Sequence, residues 1–459
     1  MQPLVDLETG LVSRGIFSDE EMYQRELERV FGRCWLFLGH ESMLPQPGDY
    51  ITNFMGEDPV IVCRDPHGKV RVFLNTCPHR GNKVCLFHSG SAKAFTCSYH
   101  GWSFNTEGKL VGVPFFNEAY YGELDRDKLG LVEVPKVTSY GGMIFGNWDA
   151  GAMSLEDYFG ELRWYLDNLL LREDMGGVEA LPGCQRYRMK GNWKIACDNF
   201  SGDHYHTHYA HASALRLGLG GLQEQGEGEQ GRQGYFEVAL LPAHGLGGIY
   251  TSTAPYERDL ARAKQLGSEV VDYVTERYRR LQEQLKDTPA KPYGFSHGNC
   301  FPNLNWVGAG SALSGRAFVL CHPRGPRESE IWQWCLVERA APKAVRDLVR
   351  VGFTRQQAAA GFMGQDDYEN FERVTENTLS PRARRMTFHY GMQLGHDGRS
   401  RGHEDWDVQG LPGQVGPRFT ESNQRGFYAF WARLMETDGK TKNEKPTHGG
   451  SLRWQQRES

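Results

Sequence analysis

Four histidines and two aspartates lie close together in the stretch Asn192–Ser213, NWKIACDNFSGDHYHTHYAHAS. Imidazole and carboxylate on one short segment suit a divalent transition metal, iron among the candidates. On a regular helix, residues three or four apart share a face. Asp203 with His206, and His204 with His208, have that spacing. His211 lies three residues beyond His208 and five beyond His206, and five is accommodated where a turn widens into a π-bulge. The plain alternative is a solvated, histidine-rich turn.

A second metal-type pattern earlier in the chain weakens that alternative. It is Cys77-Pro-His79, then seventeen residues, then Cys97-Ser-Tyr-His100. Two thiolates and two imidazoles fit a tetrahedral zinc ion or an iron–sulfur cluster. A zinc finger usually groups cysteine with cysteine and histidine with histidine, whereas here each arm offers one of each. A Rieske [2Fe–2S] cluster takes two cysteines on one iron and two histidines on the other, and two like arms can supply that arrangement. Structural zinc stays open on spacing alone.

With CPHRG at 77–81 and CSYHGWSF at 97–104, the chain resembles the large (alpha) subunits of Rieske non-heme iron aromatic-ring-hydroxylating dioxygenases, most of all the naphthalene, biphenyl and polycyclic-aromatic-hydrocarbon branch. The likeness runs from CWLFLGHESMLPQPGDYI to GLPGQVGP and RGFYAFW near the other end. It implies that Cys77, His79, Cys97 and His100 hold the cluster. Asn199-Phe-Ser-Gly-Asp203-x-Tyr-His206 and His211 match the family motif residue by residue, which implies His206 and His211 as ligands of a mononuclear ferrous ion. The iron carboxylate is implied at Asp367, the second acid of Gly364-Gln-Asp366-Asp367-Tyr-Glu-Asn370, with Asp366 as its neighbour. Read alone, those acids fit the first turn of a helix, where the macrodipole favours them. The three ligands make a two-His-one-carboxylate face with open positions for O2 and, near them, substrate.

The resemblance further implies that Asp203 is a bridging acid between His206 and the cluster ligand His100 of a neighbouring subunit. Asn199 and Phe200 fall where the family lines its iron and substrate pocket. Met363 stands where the naphthalene branch commonly has a large aromatic residue, so pocket size and regiochemistry stay open. His204 and His208 are additional histidines, read as solvated or hydrogen-bonded structural residues. The implied fold is α+β: a small all-β Rieske domain and a larger catalytic domain with an antiparallel sheet and helices in a helix-grip arrangement. The implied enzyme is a terminal oxygenase inserting both atoms of O2 into an aromatic hydrocarbon or aromatic acid to give a cis-dihydrodiol. NADH would supply the electrons through a reductase and usually a ferredoxin, and a small (beta) subunit would complete an α3β3 hexamer, or none an α3 trimer. A Rieske monooxygenase or demethylase is the alternative, because the same ligands support it. A non-enzymatic electron carrier or zinc module would leave Asn199–His211 and Asp367 without a purpose.

The elements that must position these residues follow from pattern and composition. The chain has 459 residues, room for two or three domains, and its 39% hydrophobic share with 24 Phe, 20 Tyr and 11 Trp is ample for real cores. A formal charge of −5 gives no basic surface for nucleic acid. No apolar run approaches a membrane span, and MQPLVDLETG does not read as a signal peptide. Ten cysteines without disulfide-scaffold density fit a reducing cytoplasm. The eight outside the metal arms read as mostly buried thiols, with Cys85 a possible exception near the cluster. His67 and His88 read as surface residues.

Ser18-Asp-Glu-Glu21 is a capping box opening an N-terminal helix over 18–32, with Tyr23, Leu27, Val30 and Phe31 on its apolar face. Val60–Cys63 and Val70–Leu74 around Asp65–Gly68 predict a hairpin, and Ala94–Thr96 with a turn at Asn105–Gly108 predicts a second strand region. Both metal arms therefore sit on loops projected by short strands. Ser154-Leu-Glu-Asp157 caps a further helix whose Leu155, Tyr158, Leu162, Tyr165, Leu166 and Leu169 form a stripe. Residues 217–234 read as a flexible loop, 256–286 as one long polar helix, and Ala317–Cys321 with Ile331–Glu338 as strands. The resulting division is 1–37, helical and belonging with the catalytic domain; 38–155, the cluster domain; 156–437, the catalytic domain; and 438–459, a polar tail.

Overall fold

The computed structural model describes residues 4–217, 235–250, 253–308, 310–396 and 410–436. The low-complexity stretch from 218 to 234 and the tail from 438 lie outside the described residues. The chain forms two compact units, Phe31–Ala152, and Met1–Val30 together with Met153–Ser459.

The smaller unit is built from short antiparallel strands. Val70–Leu74, Asp58–Arg64, Asp49–Met55 and Ser89–Ser91 make one sheet, and Leu110–Gly112, Ser103–Asn105 and Ala94–Thr96 make another. A third joins Lys136–Tyr140, Met143–Asn147 and Leu36–His40. The expected hairpin turns at Asp65, whose Oδ1 accepts from the backbone N–H of His67 and Lys69, each at 2.9 Å, while Oδ2 takes Arg71 at 2.7 Å. An aspartate folding back onto its own backbone is what makes this residue a turn former. Phe73, Phe95, Trp102 and Phe104 fill the core, and Tyr50 meets Phe95 edge-on at 5.3 Å. Cys77, Cys85 and Cys97 are buried in that same core.

Among the described residues the larger unit centres on a nine-stranded antiparallel sheet. Its order is Val178–Ala180, Ser329–Glu338, Ala317–Pro323, Leu304–Val307, His297–Cys300, His244–Tyr250, Tyr235–Leu240, Gln414–Pro417, with Gln185–Met189 also paired to Ser329–Glu338. The helix Trp193–Gly202 lies against its middle strands, and the helix Ser422–Glu436 packs on that helix and the sheet. A buried ionic knot fixes this stack. Glu26 takes Lys194 Nζ at 2.5 Å and accepts from the indole N–H groups of Trp193 and Trp431, both at 2.9 Å. Removing either charge alone would strand its partner in the core, a loss of about 3–5 kcal/mol. Asn192 caps the helix start, its Oδ1 accepting from Lys194 N–H at 3.0 Å.

Four helix expectations change in detail. The N-terminal helix is capped by Asp19, which accepts from Met22 N–H at 2.8 Å, while the Ser18 hydroxyl donates to Thr378; Glu20–Glu26 is α-helical and Leu27–Phe31 widens into a π turn. Ser154 does cap the next helix, which closes at Gly160 before Leu162–Tyr165 and a π turn over Leu166–Leu171 continue the buried stripe. The predicted helix over 256–286 is two helices, Ala254–Ala263 and Ser268–Gln284, because Gly267 adopts φ +116° between them. The helix Phe362–Asn377 begins early enough that Asp366 and Asp367 fall in its second turn, so the macrodipole does not account for them.

Candidate metal centres

The two cysteine–histidine arms fold into matching loops. In each, the cysteine N–H donates to a carbonyl five residues on, Cys77 to Asn82 and Cys97 to Trp102, both at 2.8 Å. In each, the glycine four residues on donates back to the cysteine carbonyl, Gly81 at 2.9 Å and Gly101 at 3.0 Å. Gly81 and Gly101 have φ of +72° and +74°, the left-handed region that glycine enters without steric cost. The thiols of Cys77 and Cys97 are 2% exposed and lie at the base. The imidazoles of His79 and His100 approach at 4.5 Å between centroids, and His79 stacks on Trp102 at 4.7 Å. His79 Nδ1 is buried with no hydrogen-bond partner among the described residues. Paired inner thiols and paired outer imidazoles fit a cluster with one cysteine-bound and one histidine-bound iron. Burial works against ionisation of Cys97, but the Tyr99 N–H and the Asn82 amide hold its thiol below the usual value. Asn82 Nδ2 lies 3.7 Å from the Cys97 sulfur.

The second centre is assembled from two segments far apart in sequence. His206 Nε2 and His211 Nε2 stand 3.3 and 3.1 Å from the same atom, Asp367 Oδ1. That oxygen is buried and accepts no well-formed hydrogen bond among the described residues. Donor atoms of the three residues all lie within 4.8 Å of one another, a donor set that suits a divalent transition cation. Each imidazole is gripped from behind. Asp203 Oδ1 is 3.4 Å from His206 Nδ1 and also accepts the His206 backbone N–H at 3.1 Å, and Asp366 Oδ2 is 3.2 Å from His211 Nδ1. A carboxylate on Nδ1 turns Nε2 toward a metal and raises its basicity. Burial disfavours charge on His206, yet the carboxylates of Asp203 and Asp367 hold it up to about 10. Asp367, despite its burial, is held down to about 2 by His206 and His211.

The backbone reaches this geometry by a different route from the helical spacing. Helix Trp193–Gly202 ends at Asp203, whose φ of −95° and ψ of 89° are not helical. His206 opens a short helix, Thr207–Ala210, and His211 interrupts the chain again before Ala212–Arg216. No π-bulge spaces His206 from His211; the break at His211 does so instead. His204 and His208 diverge. His204 is buried against Glu237, while His208 is exposed beside Arg418 Nη2 at 3.1 Å. Asn199 Nδ2 reaches His206 Nδ1 at 3.2 Å and Asp203 Oδ2 at 3.4 Å. Phe200 is buried, and Met363 sits one helical turn before Asp367. Asp367 shares its helix with Tyr368, whose hydroxyl accepts from Gln333 Nε2 at 3.2 Å.

Glu237 and His297, which pattern reading passed over, gather around His204. The available signal was Glu237 itself, an acid inside the apolar strand run Tyr235–Leu240. Cys85 is a buried core thiol, and His67 and His88 are exposed. Cys184 is the one half-buried thiol of the set. Among the described residues, no helix is long and apolar enough to cross a membrane.

Comparison with known proteins identifies both units. Residues 34–135 match the profile of the Rieske [2Fe-2S] domain, and residues 161–437 that of the ring-hydroxylating alpha subunit catalytic domain. The chain is 37% identical to biphenyl 2,3-dioxygenase subunit alpha of Rhodococcus jostii over 436 residues, 94% of this chain and 90% of that one. It is 37% identical to chlorobenzene dioxygenase subunit alpha of a Cupriavidus species over 439 residues, 95% and 93%. Its fold superposes on naphthalene 1,2-dioxygenase from a Rhodococcus species, bound to indole, with a TM-score of 0.79 at 34% identity, covering 94% of this chain and 95% of that one. Matches of this extent across both units make the chain a member of the Rieske aromatic ring-hydroxylating dioxygenase alpha subunits.

Proposed function

We propose that this chain is the oxygenase large subunit of a multicomponent system that adds both atoms of O2 to an aromatic ring, giving a cis-dihydrodiol. The observation that carries the reading is the convergence of His206 Nε2 and His211 Nε2 on Asp367 Oδ1, each imidazole backed by its own carboxylate. Cys77, His79, Cys97 and His100 would hold the [2Fe–2S] cluster, and His206, His211 and Asp367 a ferrous ion. When bound, the cluster supplies single electrons and the iron supplies dioxygen activation.

The chain's own residues do the positioning. Asp203 fixes the His206 ring and its tautomer, and its second oxygen is offered to His100 of a neighbouring subunit as a bridge between the centres. Asn199 shares that hold through its amide. Phe200 and Met363 supply apolar surface beside the ligand segments for a flat ring, the kind of lining that small-molecule sites use. A beta subunit and an NADH-dependent reductase, with a ferredoxin, complete the system. Relatives at equal identity are named for biphenyl and for chlorobenzene, so the substrate class is a small aromatic compound, hydrocarbon or acid.

Turnover of naphthalene or biphenyl under 18O2, with reductase, ferredoxin and NADH, tests this. The expected dihydrodiol carries two labelled atoms. One labelled atom in a monohydroxylated product would move the chain to the monooxygenases.

A further inference from the structure

His204 stands two residues before His206, yet its side chain belongs to a different group. Its Nδ1 lies 2.9 Å from Glu237 Oε1, and its ring centroid is 5.0 Å from that of His297. One donor atom from each of His204, Glu237 and His297 lies within 4.8 Å of the others. They come from three elements: the segment after helix Trp193–Gly202, the strand Tyr235–Leu240 and the strand His297–Cys300.

Two of the donors point at nothing. Glu237 is 0% exposed, and neither Glu237 Oε2 nor His297 Nε2 has a hydrogen-bond partner among the described residues. Both atoms face Gly247, where an added Cβ would stand 2.5 Å from Oε2 and 2.2 Å from Nε2. A Cβ on Gly248 would stand 2.2 Å from His204 Cε1 and 2.8 Å from its Nε2. Gly247 on strand His244–Tyr250 thus leaves the ground in front of Glu237 Oε2 and His297 Nε2 clear, while Ser296 Oγ stands beside His204 Nε2 at 3.5 Å. The remaining ring nitrogen of His297 is held by Ser296 Oγ at 2.8 Å, and that hydroxyl is itself anchored to the Gly247 carbonyl at 3.0 Å. A hydroxyl on one imidazole nitrogen fixes the ring and leaves the other free to ligate. Among the described residues the only ion-pair partner of Glu237 within 4.0 Å is His204, and the charge of Arg418 also acts on it. A buried carboxylate so placed is costly unless a cation joins it.

We propose that His204, Glu237 and His297 form a second divalent-cation site, separate from the His206–His211–Asp367 triad and suited to zinc or ferrous ion. A cation there clips the start of the segment bearing His206 and His211 to two strands of the sheet, and so stiffens it. The proposal does not depend on the oxygenation reading, because it concerns uptake of metal by side chains outside the triad.

The test uses the purified chain with its cluster loaded, in a His206→Ala/His211→Ala background that removes both imidazoles of the triad. Zinc is supplied from a buffered stock in the micromolar range and counted by elemental mass spectrometry after gel filtration. One equivalent per chain is expected, and zinc-edge X-ray absorption should show two imidazole ligands with a carboxylate oxygen. Adding Glu237→Gln, nearly the same in shape, should weaken uptake at least tenfold while cluster colour and far-UV circular dichroism stay unchanged. If that variant misfolds, the absorption spectrum of the background chain decides by itself. No zinc uptake, a spectrum without two imidazoles, or equal affinity in Glu237→Gln would each overturn the proposal. Equal affinity would leave the group as a hydrogen-bonded wall beside the ligand segment.

Discussion

The two units build their candidate metal centres in opposite ways. In Phe31–Ala152, each arm of the cluster is a single loop closed by its own backbone: cysteine N–H to a carbonyl five on, glycine N–H back to the cysteine. In the larger unit, the triad draws His206 and His211 from one interrupted segment and Asp367 from a helix that follows more than a hundred residues later. The first is local chemistry repeated twice. The second exists only once a sheet, three helices and a buried ionic knot are in place. Local loops tolerate damage elsewhere, whereas an assembled site inherits every displacement of its supports.

The largest effect should come from taking away a triad ligand. Asp367→Ala is expected to lower product formation by more than about 100-fold, beyond the usual cost of losing a metal's outer partner. Iron content should fall by one per chain while the cluster absorbance persists. Simultaneous loss of cluster colour would show that the two centres are not independently built.

On the other side of the comparison, His100→Cys should act on the cluster and its bridge to Asp203 without removing the mononuclear iron. With His79 still in place, the reduction potential should move down toward the all-cysteine range, which lies about 250 mV or more below the Rieske range, readable in a redox titration. Retention of mononuclear iron in that variant sharpens the contrast; its loss would break it.

Asp203→Asn probes the grip on His206. It keeps the shape at the end of helix Trp193–Gly202 but removes the charge facing Nδ1. A drop of about 10–100-fold in product rate is expected with both metals retained. In single turnover, the pre-reduced cluster should stay reduced in the presence of substrate and O2. Wild-type oxidation speed would remove Asp203 from electron transfer.

The smallest effect is on stability and its pH dependence. Burial pushes the Asp198 carboxyl up to about 7, against hydrogen bonds from Tyr428 and Tyr390 that favour ionisation. The folded chain therefore keeps a proton there at pH values where the unfolded chain, near 3.8, has released it. Stability falls as pH rises between those values and levels off above about 7, a span worth on the order of 4 kcal/mol at most. Asp198→Asn carries no such proton, so its thermal midpoint should fall less steeply from pH 5 to 8. Parallel profiles would show that the site ionises as it does in the unfolded chain.

How much of this was legible in the sequence depended on how local each interaction is. C-x-H and C-x-x-H sit within single turns, so their spacing, with Gly81 and Gly101 at matching offsets, already describes both loops. The hairpin at Asp65 and the cap at Ser154 were readable for the same reason, each closing through hydrogen bonds a few residues long. Spacing misled where the backbone departs from regularity. A helix would pair His204 with His208, but the chain leaves the helix at Asp203 and breaks again at His211, sending His204 inward to Glu237 and His208 out to Arg418.

Residue types therefore determined which chemistry this chain could carry: sulfur and imidazole for a cluster, imidazole and carboxylate for a cation. Only the tertiary structure decided which histidines share a carboxylate. Asp366 and Asp367 are neighbours in sequence, yet successive residues of a helix point about a hundred degrees apart. Asp367 thereby faces both Nε2 atoms, while Asp366 lies behind His211. Glu237 and His297 meet His204 only in the folded sheet: their strands, Tyr235–Leu240 and His297–Cys300, flank His244–Tyr250 on either side, which brings side chains distant in sequence together.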